Sequence, residues 1–204
     1  MRNPAVWWAT ALSVAFLGLT PCLAQEPVNL LTNGGFETGA NAPWNIWGST
    51  METVAQCAGA AVPEGPIEGK YCLHVTVAAA TTNFWDTGMN QAPPIFQKGK
   101  KYTLSLWLKA KSGTAQINLK PEHGADPWEG FGEMQVTMTD TWKEYTTTTP
   151  VFSADVSPAS MTFHLGFAKQ EFWIDGVRWY EGDYVPPAFL KSFFRPCCFA
   201  QANL

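Results

Sequence analysis

The sequence is poor in metal-binding and charged residues. Five Cys and three His in 204 residues, with no Cys-x-x-Cys and no cluster of His, give no zinc-ligand pattern. Gly-x-Ser-x-Gly does not occur, which removes the usual strand-to-helix nucleophile turn. Beyond the N-terminal segment, helical periodicity, heptads and internal repeats are all missing, so bundles and coiled coils are excluded. Basic residues are also scarce: 13 Lys and Arg stand against 17 Asp and Glu. That balance offers no cationic face to nucleic acid or anionic lipid, and a neutral partner fits better.

The first 24 residues read separately from the rest. Arg2 is their only charge, Val6 to Leu19 is mostly apolar, and Cys22-Leu-Ala24 puts small residues ahead of Gln25. This is the layout of a secretory signal peptide, so the expected mature chain is Gln25 to Leu204, exported to the extracellular space or periplasm. The apolar run is too short before Pro21 for a membrane anchor, and Pro21 is wrong for a lipid-attached Cys22.

What the chain does have is aromatic residues, Gly and Pro. Eight of its 10 Trp fall after residue 24, alongside 15 Pro and 17 Gly in the whole sequence, a combination suited to short strands carrying exposed aromatic platforms. The clearest strand is Tyr102 to Ala110, in which Tyr102, Leu104, Leu106 and Leu108 alternate with Thr103, Ser105, Trp107 and Lys109. One face is aliphatic core; the other carries small polar groups and an indole. Further strands are expected at 28–31, 45–47, 52–54, 71–78, within 83–91, and at 115–119, 132–138, 142–149, 161–167 and 172–180. Turn residues separate them, and the set defines an all-β antiparallel sandwich over residues 25–184. After Glu181 the pattern fails: Val185-Pro-Pro187 breaks pairing, and 185–204 reads as an irregular tail. Cys57 and Cys72 bracket a Gly- and Pro-rich loop, and a disulfide between them suits an oxidising compartment. Cys197 and Cys198 are adjacent in the tail and are not expected to bond each other.

A series of segments resembles the successive signatures of carbohydrate-binding modules of families 4, 9 and 22. They are Asn29-Leu-Leu-Thr-Asn-Gly-Gly-Phe-Glu37, Trp44, Gly69-Lys-Tyr-Cys-Leu73, Lys98 to Ala110, Thr141-Trp-Lys-Glu-Tyr145 and Phe172-Trp-Ile-Asp-Gly-Val177. The resemblance runs from about Asn29 to Tyr180 and implies a jelly-roll β-sandwich of two antiparallel sheets, with a concave cleft for a glycan chain. It also implies a structural calcium between the first loop and the last strand. The matching positions are Glu37 and Asp175, with carbonyls near Gly35 and Lys70 completing an all-oxygen set.

Sugar chemistry sets what such a cleft needs. A pyranose offers C–H groups on its flat face and hydroxyls at its rim, so a binder needs exposed indoles for stacking and amides or carboxylates for hydrogen bonds. Trp85 and Trp128 are the candidate platforms. Trp128 lies in the polar loop Glu122-His-Gly-Ala-Asp-Pro-Trp-Glu-Gly130, where no aliphatic neighbour explains a large ring. Gln91, Gln116, Asn118 and Glu122 are the candidate hydrogen-bonding residues. Gln116 and Asn118 share a face opposite Ile117 and Leu119; the alternative is that they face bulk solvent. Trp47 and Trp179 are expected in the core or at a sheet edge, and Trp142 as the aromatic that the family buries. Trp107 and Trp173 are expected to pack, and Trp44 to cap one end of the cleft.

The expected activity is therefore non-catalytic binding of a β-linked polysaccharide, such as β-glucan, cellulose or xylan, by a monomer or by part of a longer glycan-degrading protein. An enzyme is the main alternative. Glycoside hydrolysis needs two facing carboxylates, whereas Glu122, Asp126, Glu129 and Glu133 cluster in one segment; His123 and His164 are the available bases. A protein-adhesion module on the same fold is the third reading, and it would show an apolar patch in place of a polar cleft.

Overall fold

Ten strands form two five-stranded sheets in the computed structural model, which describes residues 26–48, the backbone of 51–55, and 65–188. The expected signal peptide, Cys57 and nearly all of the expected tail, with Cys197 and Cys198, lie outside the described residues. The strands are β1 (Asn45–Trp47), β2 (Met51–Ala55), β3 (Leu73–Val77), β4 (Gly88–Gln91), β5 (Tyr102–Ala110), β6 (Thr114–His123), β7 (Met134–Thr139), β8 (Lys143–Thr148), β9 (Ala159–His164) and β10 (Gln170–Glu181). A 3₁₀ turn, Phe84–Asp86, precedes β4. The front sheet runs β1-β4-β9-β6-β7 and the back sheet β2-β3-β10-β5-β8, with every neighbouring pair antiparallel. This is the two-sheet antiparallel sandwich expected from the sequence.

Alternation along the strands sorts side chains into core and outer faces. In β5, Leu104, Leu106 and Leu108 are fully buried between the sheets, while Trp107 on the outer face is half-buried. In β6, Ala115, Ile117 and Leu119 point inward, so Gln116, Asn118, Lys120 and Glu122 share the opposite face. Aromatic rings close one end of the core, where Tyr102 stacks on Trp179 at 5.4 Å and Phe96 contacts both.

The predicted strand at Val28–Leu31 does not form. The segment instead crosses the bulge of β10, where the β5 register shifts between Asp175 and Arg178 and Gly176 takes φ +55°. Asn29 replaces the ladder with its side chain: Nδ2 donates to Val177 O, and Oδ1 accepts from Trp179 N. Val177 N also donates to Gly34 O, and a Cβ on Gly34 would lie 2.0 Å from Val177 O. Only glycine permits that approach. Trp44 is likewise a correction, because it is core and not a cleft cap: it packs on Phe36 and Phe163 and donates from Nε1 to Asn33 O.

Trp179 is fully buried, as expected of a core residue. Trp173 and Cys72 form a second small cluster that Trp142 partly covers, with the Trp142 indole donating to Gly65 O. Cys72 is disulfide-bonded; Cys57, its expected partner, lies outside the described residues.

Leu106 sits mid-strand with no exposed surface. Truncating such a side chain removes its transfer free energy and leaves a cavity, so Leu106→Ala should lower unfolding stability by about 2–5 kcal/mol in urea titrations. A loss under about 1 kcal/mol would contradict this packing.

Candidate functional site

The front sheet's outer face carries the site. Antiparallel register lines its polar side chains into rows that run across the strands. Asn45 of β1 pairs with Asn90 of β4, Asn90 with Thr162 of β9, and Thr162 with Lys120 of β6. In the adjoining row, Trp47 pairs with Gly88, Gly88 with His164, and His164 with Asn118. Glu122 lies opposite Ser160. A groove of about 730 Å³ lies over these rows, lined by Asn45, Trp47, Phe84, Trp85, Asn90, Lys120, Glu122, Trp128, Glu133, Thr162 and His164.

Two exposed indoles stand on this groove from separate loops. Trp85 belongs to the 3₁₀ turn, whose Asn83 N donates to Asp86 Oδ2. Trp47 Nε1 donates to Trp85 O at 3.0 Å, and Phe84 stacks on Phe167 at 4.6 Å. The turn is thereby fixed while the Trp85 ring stays 51% exposed. Trp128 projects from the loop after β6 and is 50% exposed. Its φ of +58° is a left-handed conformation that costs a bulky residue about 1–3 kcal/mol, so the loop must impose it. The restraints are Trp128 N donating to Ala125 O, His123 N donating to Glu129 O, and the His123 ring, set between Ala125 O and Ser157 O, donating its N–H to one of these carbonyls. These are the two indoles that the sequence offered as candidate platforms, and both line the groove.

The floor is rich in internal hydrogen bonds. Asn118 is fully buried, and its Nδ2 lies 2.7 Å from Glu133 Oε1 and 3.1 Å from His164 Nδ1. The Glu133 carboxylate accepts only, which fixes the amide with its nitrogen toward both partners. His164 Nδ1 is then the acceptor, and the proton sits on Nε2. Burial first, and the Lys120 charge second, push the His164 pKa down to about 4 against an opposing effect of Glu133. Its ring is held edge-on by Trp47 and Phe84. Glu122 is buried as well: Oε1 accepts from the Thr162 hydroxyl, and Oε2 lies 3.1 Å from Lys120 Nζ.

Of the expected ligand contacts, Trp85, Trp128 and Glu122 line the groove, and Asn118 supports it from below. Gln116 shares their face but sits further along β6, outside the lining, with its backbone N–H bonded to Gln170 Oε1. Gln91 is a correction, because it points away from the groove. Its Oε1 accepts from Thr32 N and its Nε2 donates to Thr32 O, a ladder-like pair that ties the N-terminal segment to β4. The sequence held the signal for this: with Met89 in the core, strand parity puts Asn90 on the groove face and Gln91 on the other. Trp47, expected in the core or at a sheet edge, stands on the edge strand β1 and also lines the groove, while Asn45, Phe84, Asn90, Lys120, Glu133, Thr162 and His164 were absent from the expected contacts. A strand extended past Leu119 would have included Lys120.

The expected calcium positions lie elsewhere, beside the β10 bulge. Glu37 accepts from the backbone N–H groups of Lys70 and Tyr71, so Lys70 enters as a donor to Glu37. Asp175 is fully buried; its oxygens accept from Ile67 N, Glu68 N and Gly176 N. Desolvation raises its pKa to about 7 against those bonds, with Glu68 adding to the rise. Glu68, which sequence reading missed, lies beside Gly35, where a Cβ would come within 2.8 Å of Glu68 Oε1. Burial raises the Glu68 pKa, and the charge of Glu37 adds to the rise while Arg178 opposes it. The donors are all oxygen, as a hard cation requires, but among the described residues no three acidic, His or Cys side chains converge on one point.

A two-sheet sandwich with an aromatic-walled, polar-floored groove defines the class of β-sandwich binding domains. The sequence pattern of the family described as "Carbohydrate binding domain" matches residues 28–171, most of the chain, and the protein belongs to that family. Among solved structures, the CBM22-1 xylan-binding domain of Paenibacillus barcinonensis Xyn10C aligns with TM-score 0.57 at 16% identity, over 79% of this chain and 99% of that one. The second N-terminal cellulose-binding domain of Cellulomonas fimi β-1,4-glucanase C aligns with TM-score 0.53 at 22% identity, over 79% and 99%. At these identities the likeness concerns the fold. Endo-1,4-beta-xylanase 3 of Arabidopsis thaliana is 27% identical over 135 residues, which is 57% of this chain but only 17% of the length of that relative.

Because His164 is held near 4, below its ordinary 6.5, the unfolded chain binds more protons than the native one between those values. The His164 contribution therefore erodes native stability as pH falls from about 6.5 to 4. The melting-temperature advantage of the wild type over His164→Gln should shrink across that window. An advantage independent of pH would show that His164 is not buried as a neutral ring.

Proposed function

We propose that this protein is a secreted, non-catalytic module that binds a β-linked polysaccharide chain of the β-glucan, cellulose or xylan type in the front-sheet groove. The observation that carries this reading is the pair of half-exposed indoles, Trp85 and Trp128, on one polar-floored groove. Large exposed rings held by fixed loops lose little entropy when a sugar face covers them. Asn45, Asn90 and the His164 Nε2–H line the same groove and supply hydrogen-bonding groups, at positions set by strand register. The non-catalytic reading is supported by how the groove carboxylates are used. Glu122 is buried and committed to Thr162 and Lys120, which leaves Glu133 as the one open carboxylate lining the groove, and a single carboxylate does not supply the facing pair that glycoside hydrolysis needs. Export rests on the N-terminal sequence and on the disulfide at Cys72.

Calcium belongs to the same reading as a structural ion. Since Glu37, Glu68 and Asp175 do not converge on one point, at most two of these carboxylates, with backbone carbonyl oxygens near Gly35, would hold it. Bound there, it would offset the negative charge packed against the β10 bulge.

Affinity electrophoresis against soluble β-glucans, xylan, mannan and pectin, with sugar release assayed in parallel, tests the function; retardation without release is the expected result, and release would overturn the non-catalytic reading. Trp85→Ala and Trp128→Ala should each weaken binding about tenfold or more, by analogy with the 1–3 kcal/mol of aromatic stacking on bases. Unchanged affinity in both would move the site off this groove. Adding EDTA should lower the melting temperature and calcium should restore it, whereas a melting curve indifferent to both would remove the ion.

A further inference from the structure

The charge arrangement in the groove points to a selectivity that rests on the polysaccharide-binding reading above. Three charged side chains line it: Lys120, Glu122 and Glu133. Lys120 and Glu122 form an ion pair and are largely buried, with side-chain exposures of 17% and 5%. Their charges offset each other within the floor. Glu133 is different, being exposed at the groove edge with one oxygen accepting from Asn118. Among the described residues no cation lies within ion-pair distance of it. His164 adds no positive charge at neutral pH, since burial keeps its ring uncharged. The groove lining therefore carries one cation and two carboxylates, a net negative charge, with Glu133 as its exposed carboxylate and the Lys120 stem beside it across Gly130.

An ionised carboxylate accepts hydrogen bonds and donates none. A sugar edge set against Glu133 must supply donors, either hydroxyls or ammonium groups. A carboxylate substituent there would bring like charges together with no bridging cation. We propose that Glu133 is a charge filter: the groove takes a neutral β-linked chain or one bearing ammonium groups, and disfavours the same chain bearing carboxylates.

Three forms of one chain test this by calorimetric titration at low ionic strength: the neutral β-glucan or xylan, its carboxymethyl derivative and its trimethylammonium derivative. The cationic form controls for the bulk of the substituent. For a partly solvent-exposed charge the carboxymethylated chain should bind about two- to fivefold more weakly than the neutral one, and the cationic chain at least as tightly as the neutral one. High salt should compress these differences. Glu133→Gln keeps an oxygen for Asn118 and should bring the carboxymethyl-to-neutral affinity ratio toward one. Equal wild-type affinities for the neutral and carboxymethylated chains, or a ratio unchanged by Glu133→Gln, would overturn the filter. Binding of none of the three would overturn the polysaccharide-binding reading together with it, an outcome distinct from charge-blind binding.

Discussion

The antiparallel pairing of β6 with β9 is the interaction on which both the core and the groove depend. It sets Leu119 opposite Phe163 on the inner face and Lys120 opposite Thr162 on the outer face. A slip of one residue would exchange the two faces, placing Lys120 and Glu122 between the sheets and the aliphatic side chains in water. The core thus enforces the register, because burying an unpaired charge costs far more than any groove contact returns. Since β4 reads its register from β9 and β1 from β4, the rows Asn45-Asn90-Thr162-Lys120 and Trp47-Gly88-His164-Asn118 follow from the same constraint.

Most of the architecture was legible because strand parity is a local property. The alternation at Tyr102–Ala110 and at Ala115–Leu119 reads directly as one buried and one outer face, and the structure keeps both. What was illegible depends on side chains that stand in for backbone. The opening segment looked like a strand, yet Asn29 and Gly34 dock it on the β10 bulge, an arrangement that no periodicity encodes. Gln91 failed for a related reason. An amide is equally suited to a sugar hydroxyl or to Thr32's peptide, and only its parity beside Met89 separates the two. Trp128 was legible because it lies in a polar loop without aliphatic neighbours, and Trp85 because it stands between Phe84 and Asp86 in a segment that mixes rings with polar groups, whereas the face of Trp47 was not, since a short edge strand gives too little alternation to assign one.

The floor's polar groups act as a connected set. Glu133 fixes the Asn118 amide, Asn118 fixes the His164 tautomer, and Trp47 and Phe84 fix the ring plane. Buried networks of this kind are stiff where their bonds are made and costly where one is missing, and Asn118 Oδ1 is buried with no partner among the described residues. Their stiffness matters for a glycan, whose hydroxyls are well hydrated and whose binding gains little per hydrogen bond. A floor already held in place loses less conformational entropy on contact, so more of the stacking energy appears as affinity.

The same network explains why charge is left at the edge and not at the centre. Lys120 and Glu122 are buried together, which fixes position at nearly zero net charge, while Glu133 is tied by a single bond and faces outward. Selection between neutral chains of similar shape then has to come from hydroxyl positions along the rows, which are set by register. Under the proposed filter, selection between charged and uncharged chains comes from one exposed side chain, Glu133. Under that filter, Glu133→Gln, which keeps an oxygen for Asn118, alters charge preference while the strand pairing that places the rings stays as it is.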